Sequence, residues 1–222
     1  MSVGYRIIKE IRRPTMEVIE SFRDIPVPVI GDSMSRTAAI ISKIQPLNHM
    51  KLLGSAYTVR VPAGDNLLFY YAIDQACPGD VIVVDGGGFT ERALCGEIMV
   101  RYAMKRGIAG FVIDGAIRDK LELSEMSFPV FARSSSPNGP YKNGPGEVNV
   151  PVVIGRRAIY PGDIIVGDGN GVVSLHPEEA EQVLISARNI MEKERILLDE
   201  IEQNGHFELT WMYQKLEHEI GG

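Results

Sequence analysis

Between residues 54 and 116 short apolar runs alternate with stretches of helical period, and glycines punctuate the changes. GSAYTVRV, VIVVDGGG and GFVIDGA read as strands, with LLFYYAIDQA and GEIMVRYAMKRG as the helical stretches between them. Strands alternating with helices predict an α/β domain in which helices cover a sheet. Two of the segments repeat each other. PGDVIVVDGGG at 78–88 and PGDIIVGDGNG at 161–171 agree at 8 of 11 positions, so a Pro-Gly-Asp turn opens each of two equivalent buried strands. Two copies, 83 residues apart, do not make a solenoid.

Upstream, PTMEVIESF at 14–22 carries Met16, Ile19 and Phe22 on one side and glutamates on the other, the pattern of a short amphipathic helix. Pro26 and Pro28 then predict an extended segment. GDSMSRTAAI after them predicts a helix start, at which Asp32 or Ser33 accepts hydrogen bonds from unpaired amides; the functional alternative is that Asp32 faces a ligand. The stretch 132–152, rich in Ser, Pro, Asn and Gly, is expected to form a long surface loop, either a lid or interface arm or a plain connector. Beyond His176 the chain turns helical: Pro177 and two glutamates suit a first turn. Val183, Ala187, Ile190, Met191, Leu197, Leu198 and Ile201 then form an apolar stripe for packing. Glu194 falls on that stripe, where a charge is costly unless it is paired, ligating or solvated. The tail from Gly205, with Phe207, Trp211, Met212, Tyr213 and Leu216, predicts docking on its own domain or on a neighbouring subunit.

Composition narrows the classes. With 222 residues, 45% of them hydrophobic, the chain supplies one sizeable core. A net charge of -6 repels polyanions, so no nucleic-acid partner is expected. No apolar stretch is long enough to span a bilayer and the start lacks a secretory core, which predicts a cytoplasmic protein without a membrane partner. Cys77 and Cys95 lack metal or redox spacing and are expected to be buried and reduced.

Several chemistries fail on spacing. VIVVDGGGF lacks the third glycine of a dinucleotide fingerprint, and no phosphate-binding GxxxxGK[ST] occurs. The four histidines, 49, 176, 206 and 218, show no zinc pattern, no serine elbow is present, and Lys120 is expected to face solvent rather than act as a buried amine. What remains is VIDGAIRDKLE at 112–122. Phe111, Val112 and Ile113 read as a strand and Asp114-Gly115 as its turn, so Arg118 and Asp119 project from a strand end. A guanidinium suits a carboxylate or carbonyl oxygen, and a carboxylate suits a hard divalent cation; the alternative is an ordinary surface pair. Nearby, CGEIM places Gly96 and Glu97 at a helix start, where the amides of Ile98 and Met99 are expected to bind an anion. Glu97 either holds a cation's water or favours the helix dipole.

In order, GDN at 64–66, PGDVIVVDGGG, CGEIM, GFVIDGAIRD, PVFAR, VNVPV and PGDIIVGDGNGVV make the chain resemble the RraA-like family over about residues 25–200. This family includes class II 4-hydroxy-4-methyl-2-oxoglutarate aldolases and the regulator of ribonuclease E activity. The resemblance implies a swivelling β/β/α domain with a central β-barrel-like sheet: one domain over 1–222, its core at about 25–176 and a C-terminal helical extension at about 177–222, assembled as a homotrimer or homohexamer. It also implies a magnesium- or manganese-dependent lyase that cleaves a 2-keto acid to pyruvate through a stabilised enolate, with oxaloacetate decarboxylation as a second activity. In that reading Asp119 ligates the metal, Arg118 binds the keto oxygen, and Gly96, Glu97, Ile98 and Met99 take the substrate carboxylate. Glu97 and Glu122 act through metal-held water. A neighbouring subunit adds Glu194, or Glu192 in its place. The other implied function is a protein-binding regulator of the ribonuclease E type with a vestigial site.

Overall fold

The computed structural model describes residues 3–40 and 43–220. The chain begins with β1 (Tyr5–Ile7), α1 (Met16–Glu20), α2 (Val27–Ser33) and β2 (Gln45–Pro46). An alternating run follows: β3 (Leu52–Arg60), α3 (Leu67–Gln75), β4 (Asp80–Asp85), β5 (Ala93–Cys95), α4 (Glu97–Lys105), β6 (Gly110–Ile117), α5 (Lys120–Glu125) and β7 (Val130–Ser135). Next come β8 (Gly146–Val148), β9 (Val152–Ile154), β10 (Arg157–Ile159), β11 (Ile164–Asp168) and β12 (Gly171–Leu175), and the chain closes with α6 (Ala180–Asn204) and α7 (Thr210–Ile220). The fold is mixed α/β, with a large central sheet and C-terminal helices.

The sheet runs in the order β1-β8-β3-β4-β6-β7-β2, with β5 added on β6 and β11 and β12 attached through β3. Strands β3, β4, β6 and β7 are parallel, and β4 shows why their sequences are apolar on both faces. Ile82 and Val84 face a core shared with Phe69 and Ala72 of α3 and Val100 of α4, whereas Val81 and Val83 face a second core with Val152, Ile159 and Ile165. Phe69, Phe111 and Phe128 stack edge to face across the first core, at 5.0 and 4.9 Å between centroids. A third core lies between β11, β12 and the helices α2 and α6.

The two repeated segments grip the same strand from opposite sides. Ser55 of β3 pairs with Asp80 of β4 in parallel and with Ile164 of β11 in antiparallel register. In each copy the aspartate closes its turn by accepting the amide three residues earlier, Cys77 at 2.8 Å for Asp80 and Tyr160 at 2.9 Å for Asp163.

Four expectations are corrected. Pro26 and Pro28 do not force an extended chain: Pro26 caps α2 and Pro28 sits in its first turn, where the missing N–H has no partner to lose. The predicted helix start at 31–40 is therefore a helix end. Ser33 donates to Val29 O at 2.8 Å, and Asp32 pairs with Arg36 at 2.9 Å rather than capping or facing a ligand. Asp114-Gly115 is no turn but a bulged part of β6, which continues to Ile117 along β5 and β7. Finally, only the first half of the α6 stripe packs within the chain. Val183 and Ala187 are buried, whereas Leu197, Leu198 and Ile201 are exposed, as is Trp211 of α7. Among the described residues no helix is long and apolar enough to cross a membrane.

Candidate active site

Strand β5 ends at Cys95 and α4 begins at Glu97, so Gly96 forms the corner between them. Arg118 leaves the end of the neighbouring β6, and its amide donates to Cys95 O at 2.8 Å, which holds the two corners side by side. Asp119 then takes a left-handed conformation, φ 55° and ψ 43°, one that aspartate tolerates better than most residues. That turn brings its carboxylate to the first turn of α4, where Oδ2 accepts the Glu97 amide at 2.9 Å. The approach leaves no room for a side chain at 96: a Cβ there would stand 2.5 Å from Asp119 Oδ2 and 2.9 Å from Arg118 Cγ.

The arginine and aspartate do not consume each other. Arg118 Nε lies 3.6 Å from Asp119 Oδ2, beyond hydrogen-bond length, with the side chains 43% and 35% exposed. The guanidinium opens into a cavity of about 180 Å³ that also receives Asn66, Tyr70, Cys95, Ile98, Met99 and Lys142.

The structure thus brings Arg118, Asp119, Gly96, Glu97, Ile98 and Met99 together. The anion-binding expectation changes in detail. The Met99 amide donates to Gly96 O at 3.1 Å and the Glu97 amide serves Asp119, so among these the Ile98 amide alone is left for a ligand. Glu97 Oε1 accepts from Arg101 at 2.6 Å. Glu122, in the first turn of α5, and Glu194, in the projecting half of α6, are exposed and line no part of this cavity. Glu192 is held by Arg195 at 2.8 and 3.0 Å. Cys95, beside the site, is fully buried, and its desolvation pushes the thiol pKa well up, so it is no nucleophile. Cys77, by contrast, is exposed, against expectation.

Two lining residues, Asn66 and Lys142, escape sequence reasoning. Asn66 is buried; its amide nitrogen donates to Leu94 O at 3.0 Å, and its Oδ1 has no partner. Lys142 lies over the Tyr70 ring, 5.5 Å from the centroid. The loop that carries Lys142 is pinned down rather than loose. Asp65 accepts the amides of Asn143 and Gly144 at 2.6 and 3.1 Å, Tyr141 and Asn66 exchange bonds with Gly64 and Tyr141 carbonyls, and Arg92 stacks on Tyr141. The GDN signal at 64–66 marked the place without revealing the role.

A divalent cation fits these residues in one way. Among the described residues no three of His, Cys, Asp and Glu are grouped to enclose an ion. Asp119 retains an oxygen, Oδ1, without a hydrogen-bond donor while Oδ2 is held by the Glu97 amide. One fixed hard oxygen suits magnesium or manganese, which keep water and share substrate oxygens, and does not suit zinc.

Comparison with known proteins shows which family the chain and its fold resemble. Residues 27–174 match the family model RraA-like, described as Aldolase/RraA. A protein of Halalkalibacterium halodurans with the provisional name 4-hydroxy-4-methyl-2-oxoglutarate aldolase is 41% identical over 78% of this chain and 83% of its own. The 4-hydroxy-4-methyl-2-oxoglutarate aldolase of Thermus thermophilus is 35% identical over 56% of this chain and 76% of its own. In structure, Streptomyces coelicolor RraAS2, described as an unusual member of the RNase ES inhibitor RraA family, superposes with a TM-score of 0.75 at 26% identity, covering 84% of this chain and 98% of its own.

Proposed function

The chain belongs to the RraA-like family, and from the site it carries we propose that it is a divalent-metal-dependent lyase. Its substrate would be a 2-keto acid of the 4-hydroxy-4-methyl-2-oxoglutarate type, cleaved to pyruvate, with oxaloacetate decarboxylation as a side activity. The observation that carries this reading is the open Arg118–Asp119 pair against Gly96, with neither side chain saturated by the other.

Each residue has a role in charge terms. Arg118 presents its fork to the keto oxygen, where negative charge grows as the carbon–carbon bond breaks, so it holds the late oxygen more strongly than the early one. The Ile98 amide, at the positive end of α4, takes the substrate carboxylate, and Gly96 lets it approach the main chain. Asn66 Oδ1 accepts the hydroxyl of a 4-hydroxy acid, a bond that would relieve its buried, unpartnered state. Lys142 faces the distal carboxylate. When bound by Asp119, the cation supplies a Lewis acid for the keto oxygen. Glu97, through the Oε2 that Arg101 leaves free, orients the water that carries the proton, and Glu122, exposed three residues beyond Asp119, reaches it only from outside the cavity.

The assembly reading follows from the same chain. Ile196, Leu198, Trp211, Tyr213 and Ile220 are exposed on α6 and α7, and a homotrimer or homohexamer covers them while bringing Glu194 of one subunit to the site of the next. The regulator reading draws on the RNase ES inhibitor family to which the Streptomyces neighbour is assigned. One assay separates the two: pyruvate release from oxaloacetate and from 4-hydroxy-4-methyl-2-oxoglutarate with magnesium, then with chelator. Turnover that stops with chelator is expected; no pyruvate from either acid would leave the regulator.

A further inference from the structure

The repeated Pro-Gly-Asp turns differ in what meets the second oxygen of each aspartate. Asp80 is 1% exposed and receives Arg13 through two bonds of 2.8 Å, so both partners are committed. Asp163, 3% exposed, receives His176 Nδ1 at 2.7 Å, and that ring is 41% exposed. A carboxylate that fixes Nδ1 leaves the Nε2 edge of an imidazole oriented and uncommitted. His176 lines a cavity of about 440 Å³ between the N-terminal segment and the second turn. Gly162, at φ +91°, draws the two walls together: a Cβ there would lie 2.1 Å from Arg12 O.

We infer that this cavity, remote from Arg118 and Asp119, is a second ligand site for a small organic carboxylate with an apolar or aromatic body. The Arg12 side chain lines the cavity and makes no ion pair or hydrogen bond with the described residues, so its guanidinium is the anchor for the carboxylate. His176 is the second contact, its ring held in place by Asp163 at 2.7 Å. Arg13 is neutralised by Asp80, and Glu178 on the same wall offsets part of Arg12's charge, which favours a monoanion over a dianion. Pro14, Val18, Pro161 and the Tyr160 ring, which tilts against His176 at 5.1 Å, give the body an apolar bed.

The test follows the His176 ring signals by NMR while acetate, benzoate and phenyl phosphate are added to the whole protein. Benzoate is expected to shift them saturably and to bind about tenfold more tightly than acetate, because its ring is buried as well. Arg12→Ala, a change at an exposed side chain that supports nothing else, is expected to weaken benzoate by tenfold or more without changing the melting temperature. Arg118→Ala is expected to leave the His176 response intact, which separates this site from the one proposed for the keto acid. No saturable shift, equal affinity in Arg12→Ala, or a preference for phenyl phosphate over benzoate would each overturn the inference.

Discussion

Two pairs of aspartate and arginine sit at different points of the sheet, and they differ in everything except residue type. Asp80 and Arg13 are 67 residues apart, meet through two bonds of 2.8 Å, and lock the N-terminal segment onto the start of β4. Arg118 and Asp119 are adjacent in sequence, yet stand 3.6 Å apart with their polar atoms turned toward other groups. In the first pair the two side chains satisfy each other, and both Asp80 oxygens are taken. The second keeps a guanidinium and a carboxylate oxygen that water or substrate can reach. A charged pair becomes a candidate site when its geometry prevents mutual satisfaction, and here the left-handed turn at Asp119 does that.

The largest expected effect falls on the open pair. Asp119→Asn keeps a side chain that tolerates the left-handed turn and accepts the Glu97 amide, but removes the charge that would hold a cation. Pyruvate-forming kcat/KM is expected to fall by about a thousandfold or more, or ~4 kcal/mol, while urea unfolding moves by less than about 1 kcal/mol. A variant with full turnover would show that this carboxylate does no chemistry.

The closed pair should respond in the opposite sense. Asp80→Ala strands the Arg13 guanidinium and removes the acceptor of the Cys77 amide, so a loss of about 3 kcal/mol in unfolding free energy is expected. Activity per folded molecule should stay within about twofold. If the loss of stability were as small as for an exposed pair, the distinction between the two arrangements would fail.

The sequence displays these pairs unequally. The β-α alternation, the apolar strands and the twin Pro-Gly-Asp turns are written in local patterns, and Arg118-Asp119 stands out because it follows an apolar strand. Arg13 gave no such sign, since its partner lies 67 residues on. Lys142 and Asn66 escaped for the same reason: they meet the site across a loop whose composition says only that it turns. Asp65, which pins that loop, sits inside a motif seen as a motif and left without a task. The misreadings at Pro26, Pro28 and Asp114-Gly115 come from treating proline and glycine as breakers, when a first helical turn and a β-bulge accept them. The α6 stripe is genuine amphipathicity, but among the described residues only its first half is covered, and a periodic pattern does not say how far along a helix the packing extends.

Gly96→Ala gives the smallest of these effects and the sharpest view of the open pair, because it removes no polar atom. The new methyl would stand 2.5 Å from Asp119 Oδ2 and 2.9 Å from Arg118 Cγ, so both side chains must shift. Displacements of this order cost about a hundredfold in turnover when reacting groups must be aligned. Glycine 96 is extended, at φ -151°, so alanine brings no backbone strain and the fold should hold. In the double variant Gly96→Ala, Asp119→Asn the methyl is expected to cost less than it does alone, since the part of its effect that comes from moving the Asp119 carboxylate is already gone and only the displacement of Arg118 and the crowding of the main chain remain. Fully additive losses in that cycle would mean that the methyl acts only through Arg118 and the main-chain approach, and that the placement of Asp119 does not depend on position 96.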